Sequence, residues 1–200
     1  MQKITDTETL EQIFGAAAPR SLAKVATRLT PLYQRWIGAS RFLVLSTTGP
    51  EGTDASPRGD DGPVVHTAGP RTLWLPDWRG NNRLDSLRNI VRDPRVSLMF
   101  LVPGESNAVR VNGTAYLTAD ETARKTFARR TLLPATVAVI TIEELYFQCA
   151  KAILRARLWD AEADRPALPT AGQFLKEQDE GFEAEAYDEG YAEYARTRMW

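Results

Sequence analysis

Apolar positions recur along this chain in two periods, one helical and one of strands. Leu10, Ile13 and Phe14 share a helical face behind the capping candidates Thr5, Asp6 and Thr7, which predicts a helix over 5–14 ended by Gly15. Residues 21–29 repeat the pattern, with Leu22, Val25, Ala26 and Leu29 as the inward stripe, and Pro31 opens a third short helix through Leu32, Tyr33, Trp36 and Ile37. From Arg41 the period shortens to two. Strands are predicted at 41–48 and 53–58, joined by the Gly49-Pro50-Glu51-Gly52 turn, then at 64–67, 71–75, 95–102, 109–118, 136–142 and 145–150. Two helices interrupt them. One carries Leu84, Leu87 and Ile90 inward and takes Asn81 or Asn82 as its cap, and the other follows Asp120 through Arg130. Short antiparallel strands at this spacing favour a closed β-barrel over a doubly wound sheet.

Beyond Asp160 the pattern fades into alanine and acid, with Pro166 and Pro169 marking a linker. A helix is expected over 172–180, and Tyr187, Tyr191 and Tyr194 put an aromatic stripe on a last one, suited to packing on the barrel or across a dimer. Three parts are therefore expected: an N-terminal helical arm over 1–40, a barrel domain over 41–160 and a C-terminal helical arm over 161–200.

Composition narrows the chemistry. Of 200 residues, 43% are hydrophobic and 26% charged, and a net charge of −1 exerts no general pull toward nucleic acid or an anionic membrane. No apolar run approaches the roughly 20 residues of a membrane span, and the stretch before Leu10 is unlike a secretory signal, so the cytoplasm is the expected compartment. Cys149 is the lone cysteine and His66 the lone histidine, which leaves no disulfide and no Cys/His zinc set, so no metal is expected. His66 lies in a Gly/Pro-bounded loop and reads as a surface or turn residue. Catalysis here has to borrow a cofactor.

Four polar clusters exceed what a core needs. Arg58 leaves a strand end in Ala55-Ser56-Pro57-Arg58-Gly59-Asp60; Arg79, Asn81, Asn82, Arg83 and Ser86 crowd the start of a helix, facing outward. Free N–H groups and the positive end of the helix dipole suit that place to a phosphate, the plain alternative being a capped helix with solvated arginines. Arg110 and Asn112 lie on one face of a strand by its period of two. The stretch from Phe147 to Arg155, with Leu158-Trp159 after it, mixes buried-type residues with Lys151 and Arg155.

The run 41–118, with Ser56-Pro57-Arg58-Gly59-Asp60, the segment from Gly80 to Ile90 and Arg110-Val111-Asn112-Gly113, resembles the pyridoxamine 5'-phosphate oxidase-like family of FMN-binding split β-barrels. Cys149-Ala150-Lys151-Ala152 with Leu158-Trp159 is similar to its uncharacterised FMN-binding subgroup. The resemblance implies a mainly β fold, a split barrel of about six antiparallel strands with flanking helices, and a homodimer holding FMN at the subunit interface. It makes Arg58, Asn82, Arg83 and Ser86 phosphate ligands, with Asn81 beside them, and sets Arg110 and Asn112 toward the ribityl chain or ring. Lys151 and Arg155 are further cofactor candidates, Lys151 as a cation near the pyrimidine edge of the flavin. Trp74 and Trp78 are candidates to edge the ring slot.

The departures concern vitamin B6 chemistry. Arg-Gly-Asp and Asn-Asn-Arg stand where the true oxidases carry a paired lysine and a Ser-Arg-Lys signature, and residues 196–200 lack the histidine-bearing substrate segment. The expectation is an FMN-binding flavoprotein acting as an oxidoreductase on a small-molecule substrate or electron donor that the sequence does not name, with no catalytic residue assigned. A non-catalytic flavin-binding or sensing protein, or a haem or deazaflavin binder on the same fold, stays open. Single-stranded nucleic-acid binding has the residue types but not the charge clustering.

Overall fold

The computed structural model describes residues 1–160, 162 and 166–200; part of the linker expected after Asp160 lies outside them. Helix α1 (Thr7–Phe14) is capped by Asp6, whose carboxylate accepts the Thr9 N–H at 2.7 Å, and Gly15 ends it at φ 72°. Helices α2 (Pro19–Ala23) and α3 (Pro31–Ala39) follow. The helix expected over 21–29 stops early. Ala26 instead exchanges two backbone hydrogen bonds with Leu145, of 2.9 and 2.7 Å, so pairing with a distant strand overrides the local helical period. Leu22 and Val25 consequently stay exposed, while Ala26 and Leu29 pack on the core.

Among the described residues seven strands form one antiparallel sheet: β1 (Phe42–Gly49), β2 (Gly52–Gly59), β3 (His66–Gly69), β4 (Thr72–Asp77), β5 (Arg95–Leu101), β6 (Ala108–Thr118) and β7 (Thr136–Gln148). Their order is β2-β1-β5-β6-β7-β4-β3. Inward residues alternate along each strand, and Leu43, Leu45, Leu73, Leu98, Phe100, Val111, Ile140 and Leu145, with Ile37 from α3, make the core. This is the mainly β, split-barrel fold. The strand expected over 64–67 is β3, displaced to His66–Gly69, so His66 sits in a strand and not in a loop.

The two strands expected over 136–142 and 145–150 are one. Gly113 pairs with Ile142 and Asn112 with Glu144, so Glu143 is an extra residue taken up in a bulge and the ladder continues past the acidic break. A Cβ at position 113 would overlap the Thr141 carbonyl oxygen, which is why glycine follows Asn112.

Helix α4 (Asp85–Arg92) lies across β1 and β2. Its Asn89 amide donates to the Thr47 hydroxyl at 3.1 Å, and Gly49 leaves the room that Asn89 occupies. Helix α5 (Glu121–Lys125) is far shorter than the segment expected through Arg130, which instead turns on paired backbone bonds between Arg129 and Leu132. Helix α6 (Lys151–Ala156) follows β7. Helices α7 (Ala171–Gln178) and α8 (Ala184–Arg196) pack chiefly on each other, and the Gly172 N–H donates to Asp188 at 2.9 Å. Tyr187, Tyr191 and Tyr194 form a ladder with ring centroids 5.8 and 6.5 Å apart, all three still substantially exposed. Among the described residues no helix is long and apolar enough to cross a membrane.

Candidate functional site

The split in the barrel is closed by side chains. Arg58 points inward from β2, and its guanidinium donates to the Asp77 carboxylate at the end of β4, at 2.5 Å. Leu45, Leu75, Leu87 and Ala138 surround the pair, so both charged ends are largely shielded from water. The Arg58 Nε is buried and has no hydrogen-bond partner. Immediately beyond, the Asp60 side chain, only 6% exposed, accepts the indole N–H of Trp78 at 3.3 Å and a guanidinium N–H of Arg129.

From this seam the chain enters the turn that leads into α4. Its backbone enters the left-handed region at Asn82 (φ 59°) and at Leu84 (φ 62°). Asparagine tolerates that region, whereas for leucine it costs on the order of 1–3 kcal/mol, and such strain clusters at ligand clamps. The cap expected from Asn81 or Asn82 does not form. Leu84 occupies the N-cap without a capping side chain, and the Asn81 side-chain oxygen Oδ1 accepts the Arg83 backbone N–H at 3.0 Å. Leu84 is correspondingly exposed, contrary to its expected inward place; Ser86 is buried where an outward position was expected, donating its hydroxyl to Asp54 of β2. The inward face of α4 is therefore partly polar, made by Ser86 and Asn89 beside Ile90. Arg79 and Arg83 project into solvent, Arg83 beside Asp85.

Arg110 and Asn112 share the outer face of β6, as their spacing predicts. Asn112 is locked: its carbonyl oxygen accepts the Ser97 hydroxyl and its amide donates to Glu144, both at 2.7 Å. The Arg110 guanidinium lies 5.4 Å from the Tyr146 ring centroid. Next to them an open groove of about 790 Å³ runs along β1, β2, β5 and β6, with Ser46, Thr48, Asp54, Ser97 and Asn112 among its lining. Arg95 at its rim holds Asp93 through its guanidinium, which lowers that carboxyl to about 2.

The structure thus gathers Arg58, Asn81, Asn82, Arg83 and Ser86 around the seam and α4, and Arg110 with Asn112 on the outer face. Asp54 joins the two areas, since it lines the groove and accepts from Ser86. Lys151 and Arg155 stand exposed on α6, beyond the end of β7 opposite to its pairing with Asp77. Trp74 packs against His66, with ring centroids 5.6 Å apart, and Trp78 belongs to the seam. Sequence reasoning did not single out Asp54, Asp77, Arg129 or Trp200. The first two stood within reach as acids beside predicted arginines; Arg129 and Trp200 carried no local signal. Among the described residues no group of three or more His, Cys, Asp or Glu could hold a metal ion.

Comparison with solved structures finds HupZ of Group A Streptococcus at TM-score 0.50 and 17% identity, over 60% of this chain and 98% of that one. An FMN-binding protein of Syntrophomonas wolfei gives TM-score 0.44 and 10% identity, over 72% and 97%. General stress protein 26 of Bacillus anthracis gives 0.42 and 18%, over 57% and 88%. No curated protein matches the sequence. The family model described as pyridoxamine 5'-phosphate oxidase matches residues 29–149, which take in α3 and all seven strands, and the chain belongs to that family.

Proposed function

We propose that this protein binds FMN with its phosphate at the entrance of α4, and that it works as a cytoplasmic, homodimeric FMN-dependent oxidoreductase. The observation that carries the reading is the strained, uncapped entrance of α4, which leaves first-turn N–H groups free of a side-chain acceptor beside the exposed Arg83. Such a place favours a dianionic oxygen cluster, and a planar guanidinium can bind it bidentately. Membership in the family supports flavin over other phosphates.

Bound FMN supplies the hydride or electron transfer, and the protein supplies binding and orientation. Arg83 and the α4 N–H groups hold the phosphate. Asp54 fixes the Ser86 hydroxyl at the helix entrance, and Asn112, its amide orientation set by Ser97 and Glu144, offers a rigid polar edge on the outer face. That face also exposes Met99 and Tyr116 and is the surface we assign to a second copy.

Protein purified from a host and desalted should remain yellow and release FMN on denaturation. Reduction by NADH or NADPH followed by reoxidation separates an enzyme from a binder. A colourless protein that takes up no added FMN removes the flavin reading, and a Soret band replaces it with haem.

A further inference from the structure

Residues 197–200 return from α8 to the seam, where Trp200 meets the ring of Trp78, centroids 5.4 Å apart and planes at 76°. The Arg129 guanidinium lies 3.8 Å from the Trp200 ring centroid and 5.8 Å from that of Trp78. Its charge is held from behind by the buried Asp60 carboxylate, which also accepts the Trp78 indole N–H. Three segments distant in sequence, at Asp60, Arg129 and Trp200, thus converge on Trp78, the first residue of the turn into α4. The far end of that turn is tied to β1 and β2 by Asn89 and Ser86. Between the two ties the backbone passes twice through the left-handed region, with Arg79, Asn81 and Arg83 exposed. A strained loop keeps one shape only while both ends are fixed.

We infer that Trp200 and Arg129 are positioning residues for this turn: packed against Trp78, they set its entry and hold the α4 donors in the arrangement that receives a phosphate. The inference rests on the proposed function, since it assigns these residues to the same anion site. Their effect is confined to the phosphate end of a flavin. A cation–π contact of this kind carries on the order of tenfold in an equilibrium constant.

The test compares wild type with Trp200→Ala and Trp200→Phe, each first checked for fold by circular dichroism. Amide hydrogen exchange over residues 79–84 is followed in the flavin-free protein, and dissociation constants are measured for FMN and for riboflavin. Trp200→Ala should speed exchange over 79–84 and weaken FMN by about tenfold while leaving riboflavin unchanged, and Trp200→Phe should restore most of both. Unchanged exchange over 79–84 in Trp200→Ala overturns the inference, as does an equal loss of FMN and riboflavin, which is what general loosening of the fold produces. If wild type takes up no FMN, the proposed function fails on its own, and the exchange comparison still decides whether Trp200 positions the turn.

Discussion

Two sets of arginines lie close together here and live in different physical worlds. Arg58 and Arg129 at the seam are shielded from water and each is held by a carboxylate, Asp77 or Asp60. Arg79 and Arg83 on the turn stand in solvent, and the Arg83–Asp85 pair, with the guanidinium 79% exposed, is of the kind that contributes little. An arginine beside a glycine-rich strand end can thus be part of the closure of the fold. In the seam, charge replaces the backbone ladder that β2 and β4 do not share; on the turn, charge is left available to a guest.

The largest effect is expected from Arg58→Ala. It strands the Asp77 carboxylate among Leu45, Leu75 and Leu87, and removal of one partner of a shielded pair costs about 3 kcal/mol. Thermal unfolding should shift down by roughly 6–12 °C for a chain of this size. Adding Asp77→Ala should recover part of the loss, because the stranded charge is gone. A single variant that melts like wild type would move Arg58 out of the closure and back among simple binding residues.

Arg83→Ala probes the other region and should do the opposite. A charge-assisted hydrogen bond is worth about 1.5–3 kcal/mol, so FMN affinity should fall on the order of tenfold to a hundredfold, with riboflavin and the melting temperature hardly changed. Titration with both ligands measures the contrast, and Arg20→Ala serves as the control that leaves both intact. Equal weakening of the two flavins would take the phosphate away from this turn.

Ser86→Ala sits between the regions, since its hydroxyl joins α4 to Asp54 on β2. Loss of that bond should cost about 1 kcal/mol in denaturant unfolding and loosen FMN modestly. A change in only one of the two measurements would show that helix docking and anion binding are separable.

The smallest effect is expected from pH at the rim of the groove. Asp93 is held at about 2 by hydrogen bonds and charge from Arg95, below its ordinary 3.8. A folded-state value below the unfolded one means that the pair favours the fold above about pH 4 and that this contribution disappears as pH falls through about 2. Carboxyl titration by NMR should place the Asp93 midpoint near 2 in wild type and return it toward 3.8 in Arg95→Ala. No change on removing Arg95 would assign the shift to another cause.

The alternation from Phe42 to Thr118 and the turn at Gly49–Gly52 determined the strands by themselves, because a period of two can bury only one face of a sheet. So did the shared face of Arg110 and Asn112, and the polar excess around residues 79–83. Local pattern could not decide where strands continue or helices stop. The bulge at Glu143 that joins two predicted strands, and the pairing of Ala26 with Leu145 that ends a predicted helix, depend on partners more than 25 residues away, whose hydrogen bonds outweigh propensity. The left-handed Leu84 is a conformation that no sequence rule assigns to leucine, and it emptied the cap that Asn81 or Asn82 was expected to fill. Above all, only the curl of the sheet brings Arg58 to Asp77 and gathers Asp60, Trp78, Arg129 and Trp200 at one seam. A sequence lists charges; which of them are neutralised by one another, and which remain for a ligand, is settled when the chain closes.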